Sequence, residues 1–175
     1  MNATLSPRSE MYAARDPANA ITQALGGVLA RFALYGLGGA ELSRLRAKHF
    51  PEAPELACDT HSVCATARAD EIDDVLHLLL DHRSDDSEET RWLAHAIATA
   101  CLGDNHLYQD MGLTSRTILS DLLRRHFTTL YQNNTGNMKW KKFFYKQLCA
   151  RAEINICKAP SCKVCNDYAT CFGPE

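Results

Sequence analysis

Four of the chain's eight cysteines fall close together near its C-terminal end: Cys157, Cys162, Cys165 and Cys171, spaced Cys-x4-Cys-x2-Cys-x5-Cys. Pro160 interrupts this stretch and no helical periodicity runs through it, so it has little apolar surface to bury. Converging thiolates around a metal would supply the order that burial does not. Tetrahedral zinc ordinarily takes two separated Cys-x2-4-Cys hooks, and Cys162-x2-Cys165 is the single such hook here. Isolated outer cysteines suit a loop that gives one thiolate to each corner of an iron–sulfur cubane. Spacing alone leaves an iron–sulfur cluster, a zinc ion and a metal-free reducible loop open.

The charge pattern adds to this. Residues 138–163 hold Lys139, Lys141, Lys142, Lys146, Arg151, Lys158 and Lys163 against Glu153, while residues 1–137 are net acidic. A basic flank stabilises thiolates and attracts an oxyanion. A solvated helix face is the plainer alternative, since Lys139, Lys142 and Lys146 lie along one stripe. The whole chain carries a net charge of −2, which disfavours a protein that coats nucleic acid nonspecifically.

Other candidates are weaker. Cys58-x2-His61-x2-Cys64 supplies three ligands and lacks a fourth. Cys101 sits on an apolar helical stripe and reads as a core thiol; Cys149 reads as a packing residue. His106 follows a helix end, where an imidazole either reaches a ligand or caps the next turn. Gly36-Leu37-Gly38-Gly39 follows a helix and lacks the Gly-Lys-Ser/Thr ending of a phosphate loop. No Gly-x-Ser-x-Gly, His-Glu-x-x-His or kinase set is present, so no enzymatic turnover is expected.

The elements that must position these residues read as helices. Leu (21) and Ala (23) far outnumber Val (4) and Ile (6), which favours helix over strand. The expected fold is all-α: a loose tail over 1–16, a helical domain over 17–153 and an irregular cysteine-rich loop over 154–175. Asp16-Pro17 suits a helix start, with Ile21, Ala24, Leu25, Val28, Phe32 and Tyr35 at helical spacing. Further helices are expected near Ala40–His49 and from Asp70 along Ile72, Val75, Leu76 and Leu79. Asp86 with Glu89 resembles a capping box for a helix carrying Leu93, Ala96, Ile97 and Ala100 and stopping at Gly103. A turn over His106–Gly112 precedes a helix from Thr114 through Leu119, Leu122, Leu123, His126 and Leu130. Asn133–Asn137 reads as a loop, and Met138 to about Ala152 as the last helix, with Trp140, Phe143, Phe144 and Leu148 facing inward. No run of about 18 uncharged apolar residues is present, so no spanning helix is expected. The start of the chain lacks a secretory core. The expected location is the cytoplasm, where disulfides are rare.

Two resemblances bear on the cysteine loop. Its spacing is similar to the Cys-x6-Cys-x2-Cys-x5-Cys cubane loop of endonuclease III-type glycosylases. More of the chain resembles the NifQ family, the molybdenum-handling proteins of nitrogen fixation. That resemblance rests on MKWKKFFYKQLCARAEINICKAPSCKVCNDYATCFGPE from Met138, and on Ala100-Cys-Leu-Gly-Asp-Asn-His-Leu-Tyr-Gln-Asp-Met-Gly-Leu113. In the second block Tyr108 and Met111 stand where the family usually has Trp and Leu.

The resemblance implies a 4Fe-4S-type or mixed Mo–Fe–S cluster and delivery of molybdenum to nitrogenase iron–molybdenum cofactor assembly. It implies the cofactor scaffold complex and the nitrogenase iron protein as recipients, with molybdate as the incoming species. Cys157, Cys162, Cys165 and Cys171 are the expected cluster ligands; Lys158, Lys163 and His106 are candidates to hold the oxyanion. The runner-up functions are a helical 4Fe-4S DNA-repair-like protein and a zinc-stapled interaction module. The leading reading needs neither nucleic acid nor membrane.

Overall fold

The computed structural model describes residues 20–52, 69–152 and 168–173. Among these residues every regular element is a helix, as the Leu/Ala-rich composition predicts. The elements are α1 (Ala20–Leu29), α2 (Gly39–His49), α3 (Ala69–Asp81), α4 (Glu88–Ala100), α5 (Leu107–Asp110), α6 (Arg116–His126), α7 (Thr128–Asn133), α8 (Trp140–Arg151) and α9 (Tyr168–Phe172).

Helix α4 is the axis of the fold. It packs against α1, α3 and α5, and Trp92, Leu93, Ala94, Ala96, Ile97, Ala98 and Ala100 are all buried. Burial on every side needs a helix that is apolar nearly all round; the alternate alanines also let neighbouring helices approach closely. Helix α3 offers the narrower stripe expected of it, Ile72, Val75, Leu76 and Leu79, with Leu78 added, and α8 packs on α3. Arg44–Glu88 at 2.7 Å and Lys48–Glu89 at 3.0 Å tie α2 to the start of α4. Both pairs are partly exposed and contribute little to stability.

The contact of α1 with the 111–112 turn depends on glycine. A Cβ on Gly27 would stand 2.2 Å from the Met111 carbonyl oxygen, and one on Gly112 would stand 2.8 Å from Gly27 Cα. Gly112 also has φ +68°, the left-handed region that glycine enters without strain.

Several local expectations are corrected. The first helix ends at Leu29 and does not reach Phe32 and Tyr35. Tyr35 instead turns to α4: its N–H donates to Thr99 Oγ1 at 3.2 Å, and its carbonyl meets His95 Nδ1 at 2.8 Å. The Asp16-Pro17 start lies outside the described residues. The cap of α4 is Ser87, whose hydroxyl accepts from the Thr90 N–H; Asp86 pairs with Arg83 instead. The single helix expected from Thr114 to Leu130 is two helices broken at Phe127. Ser84 makes the break possible: its N–H donates to the His126 carbonyl, and its hydroxyl accepts from the Thr128 N–H. The fully buried Phe127 ring holds the corner. Helix α9 lies in a stretch expected to be irregular.

Candidate metal centre

Of the four loop cysteines, Cys171 falls within the described residues. Cys157, Cys162 and Cys165 lie outside them, as do Lys158 and Lys163 and the lesser set Cys58, His61 and Cys64. Cys171 is a free, half-buried thiol on α9, and it packs with Phe172 against the edge of the core. Its carbonyl accepts from the Lys139 N–H at 2.8 Å. The Phe172 ring covers Gly136, where a Cβ would stand 3.1 Å from the ring. The fourth cysteine of the loop is therefore held against the turn that opens α8.

That turn is itself braced. The Asn134 side chain donates to the Met138 carbonyl at 2.9 Å and accepts from the Met138 N–H at 2.8 Å. Arg116, at the start of α6, donates through Nη2 to the Asn137 carbonyl at 3.1 Å, to Asn137 Oδ1 at 3.0 Å and to the Met138 carbonyl at 2.9 Å. Asn137 has φ +52°, a conformation that asparagine tolerates better than most side chains. Next along, Trp140 Nε1 donates to Ser120 Oγ at 3.1 Å. The Trp140 ring stacks with Tyr131 and meets Phe143 edge-on. Trp140, Phe143 and Phe144 are buried as expected, whereas Leu148 is half-buried.

The basic flank divides once its partners are known. Lys141 Nζ donates to Asp110 Oδ2 and to the Gly103 carbonyl, each at 2.6 Å. Asp110 is 1% exposed; it also accepts from the Asn105 backbone and side chain, and Arg31 approaches to 3.8 Å. Lys141 thus joins α8 to the 103–110 turn and is spent as an anion ligand. Arg151 pairs with Asp81 at 2.9 Å. The side chains of Lys139 and Lys142 form no ion pair among the described residues, and Lys142 is exposed on the same helix.

The Asp110–Lys141 pair escaped the sequence reading. Lys141 and Lys142 both stand between Trp140 and the Phe143-Phe144 pair, so spacing does not mark which of them meets a buried counter-charge. His106 stands at the N-cap of α5: its N–H donates to Gln109 Oε1 at 3.1 Å and its ring stacks on Tyr108. It therefore occupies a capping position. Cys101 is buried, as its stripe predicts, and Cys149 is half-buried on α8.

Three imidazoles away from the loop are held below their ordinary protonation range, each chiefly by burial. His49 meets Thr22 Oγ1 at 2.8 Å, and its Nε2 is buried with no hydrogen-bond partner among the described residues, Glu89 Oε1 lying 3.8 Å away. His126 meets Thr90 Oγ1 at 2.7 Å. His82 meets Thr129 Oγ1 at 2.8 Å, and nearby Arg151 adds to the depression of its pKa.

Among the described residues no three His, Cys, Asp or Glu side chains converge as a metal-binding group. One member of the expected cysteine set, Cys171, is present among the described residues as a free thiol with a fixed backbone, a soft donor of the kind an iron–sulfur cluster takes. No helix among the described residues is long and apolar enough to cross a membrane.

Residues 18–173 match the family model described as NifQ. A NifQ protein of Azotobacter vinelandii is 47% identical over 108 residues, which covers 62% of this chain and 55% of that one. A NifQ protein of Rhodobacter capsulatus is 37% identical over 153 residues, covering 86% and 81% respectively. For a NifQ protein of Klebsiella pneumoniae the identity is 45% over 82 residues, 46% of this chain and 48% of that one. The match thus spans about half of the Azotobacter and Klebsiella proteins and most of the Rhodobacter one. No solved structure matches. The family match takes in the two blocks singled out from the sequence, the 100–113 turn and the cysteine loop as far as residue 173, and the chain belongs to the NifQ family of nitrogen fixation.

Proposed function

We propose that this protein is a molybdenum carrier in the assembly of the nitrogenase iron–molybdenum cofactor. On this reading Cys157, Cys162, Cys165 and Cys171 hold an iron–sulfur cluster of 4Fe-4S or mixed Mo–Fe–S type. The cargo arrives as molybdate and leaves to the cofactor scaffold complex and the nitrogenase iron protein. The protein works in the cytoplasm as a binding and delivery protein without turnover. The carrying observation is the docking of Cys171: the Lys139 N–H holds its carbonyl while its thiol stays free and half-buried.

The bound cluster supplies sulfide and thiolate, soft donors that suit reduced molybdenum, whereas molybdate presents hard oxygens. The chain's own residues do the rest. Lys158 and Lys163, within the loop sequence, give the approaching dianion a positive field. Lys141 does not share in this, because Asp110 neutralises it. Release to a client needs a site near the surface that opens at low cost, and the half-burial of Cys171 suits that need.

Metal analysis tests the reading. Protein purified without oxygen from cells supplied with molybdate should be brown and contain iron, acid-labile sulfide and molybdenum, and omitting molybdate should remove only the molybdenum. Colourless protein with one zinc per chain would overturn it in favour of an interaction module. Salt-sensitive duplex binding without molybdenum would favour the DNA-binding alternative.

A further inference from the structure

The brace around residues 134–139 is more elaborate than a surface turn between two helices requires. One guanidinium nitrogen of Arg116 serves three acceptors on Asn137 and Met138, and Asn134 closes a two-way hydrogen-bonded ring with Met138. Asn137 is held at positive φ between them. Asn137 and Met138, on which these bonds converge, lie within two residues of Lys139, whose N–H points out of the turn to the Cys171 carbonyl, and Gly136 in the same turn receives the Phe172 ring. The braced turn is a platform, and what rests on it is the helical turn that carries Cys171.

We propose that Arg116, seconded by Asn134, is a positioning residue for Cys171: by fixing the 134–139 turn it presents that thiol as a preformed ligand before any metal is bound. The inference rests on the carrier reading for its purpose but not for its geometry. Arg116 acts through Asn137 and the backbone of residues 137 and 138, next to Lys139. Cys171 is half-buried and forms no disulfide among the described residues, which leaves the thiol available for ligation while its backbone is held.

The test uses the full-length protein and the variants Arg116→Ala, Arg116→Lys and Asn134→Ala. In metal-free protein the rate of Cys171 alkylation by iodoacetamide is followed by peptide mass spectrometry, with half-buried Cys149 and buried Cys101 as internal references. Arg116→Ala should speed Cys171 alkylation about tenfold by freeing the end of the loop. Cys149 and Cys101 should be unchanged, and Arg116→Lys should restore part of the protection. After anaerobic reconstitution with iron and sulfide, Arg116→Ala should lose iron to a chelator faster than wild type and show altered visible and electron paramagnetic resonance spectra. Equal Cys171 alkylation in wild type and a folded Arg116→Ala, or an identical cluster spectrum and retention, would overturn the proposal. If Arg116→Ala fails to fold, Asn134→Ala decides by the same readouts. A wild-type protein that takes up no cluster would sink the carrier reading, and the alkylation contrast would still decide the brace.

Discussion

Asp110 shows what one buried charge demands of its surroundings. Its carboxylate accepts from Lys141 and from two donors of Asn105, with Arg31 at 3.8 Å. Removing one partner of such a pair leaves the other charge buried alone. Asp110→Ala should therefore lower unfolding stability by about 3–5 kcal/mol, read from urea denaturation. The double variant Asp110→Ala/Lys141→Met should recover much of that loss, and additive losses would show that the two charges are not coupled.

The three depressed histidines carry a sign that can be checked. Burial lowers the pKa of His49, His82 and His126 in the fold, while in the unfolded chain they take up protons near the ordinary value of about 6.5. Between the folded and unfolded pKa values the unfolded state binds more protons, so stability is full above about pH 6.5 and falls as the pH drops below it. The urea midpoint of metal-free protein should fall between pH 7.5 and 5.5, and His126→Asn should flatten that slope. A midpoint independent of pH over this range would count against neutral burial.

At the scale of elements, the crossing of α1 over the 111–112 turn depends on two glycines in backbone contact. An exposed helical Gly→Ala change ordinarily stabilises by up to about 1 kcal/mol. Here Gly27→Ala drives its methyl into the Met111 carbonyl, so the sign should reverse, with a loss of about 1–3 kcal/mol in thermal or urea unfolding. Such a loss would also loosen the 103–112 turn that holds Lys141, and with it the start of α8. Capping was half legible at this scale: the start of α4 was placed within a residue, but the serine beside the expected aspartate took the role. The break at Phe127 was not legible, because Leu119, Leu122, His126 and Leu130 keep helical spacing across it. What ends α6 is Ser84, a residue far away in sequence that supplies the hydrogen bonds the corner needs.

For the whole molecule, Cys165 in the loop and Cys101 in the helical core should respond differently to mutation. Cys165→Ala should abolish retention of iron and molybdenum while leaving the helical circular dichroism of metal-free protein intact. Cys101→Ala should leave metal content unchanged and lower the thermal midpoint, since it empties a buried site in the core. Equal metal content in Cys165→Ala and wild type would remove the loop from the site. A strain with serine at all four loop positions should grow poorly on dinitrogen when molybdenum is scarce.

Sequence alone determined what is local or compositional: the all-helical class, the stripes of α3 and α8, the burial of Cys101 and the thiolate pattern that marks the family. These follow from side-chain chemistry and from spacing along one element, both of which survive without knowledge of neighbours. Only the tertiary structure decided which lysine is spent on Asp110, that His106 stands as a cap, and that Arg116 reaches the turn on which Cys171 rests. Each of those depends on a partner brought close by folding, and a charge or hydrogen bond takes its meaning from the group it meets.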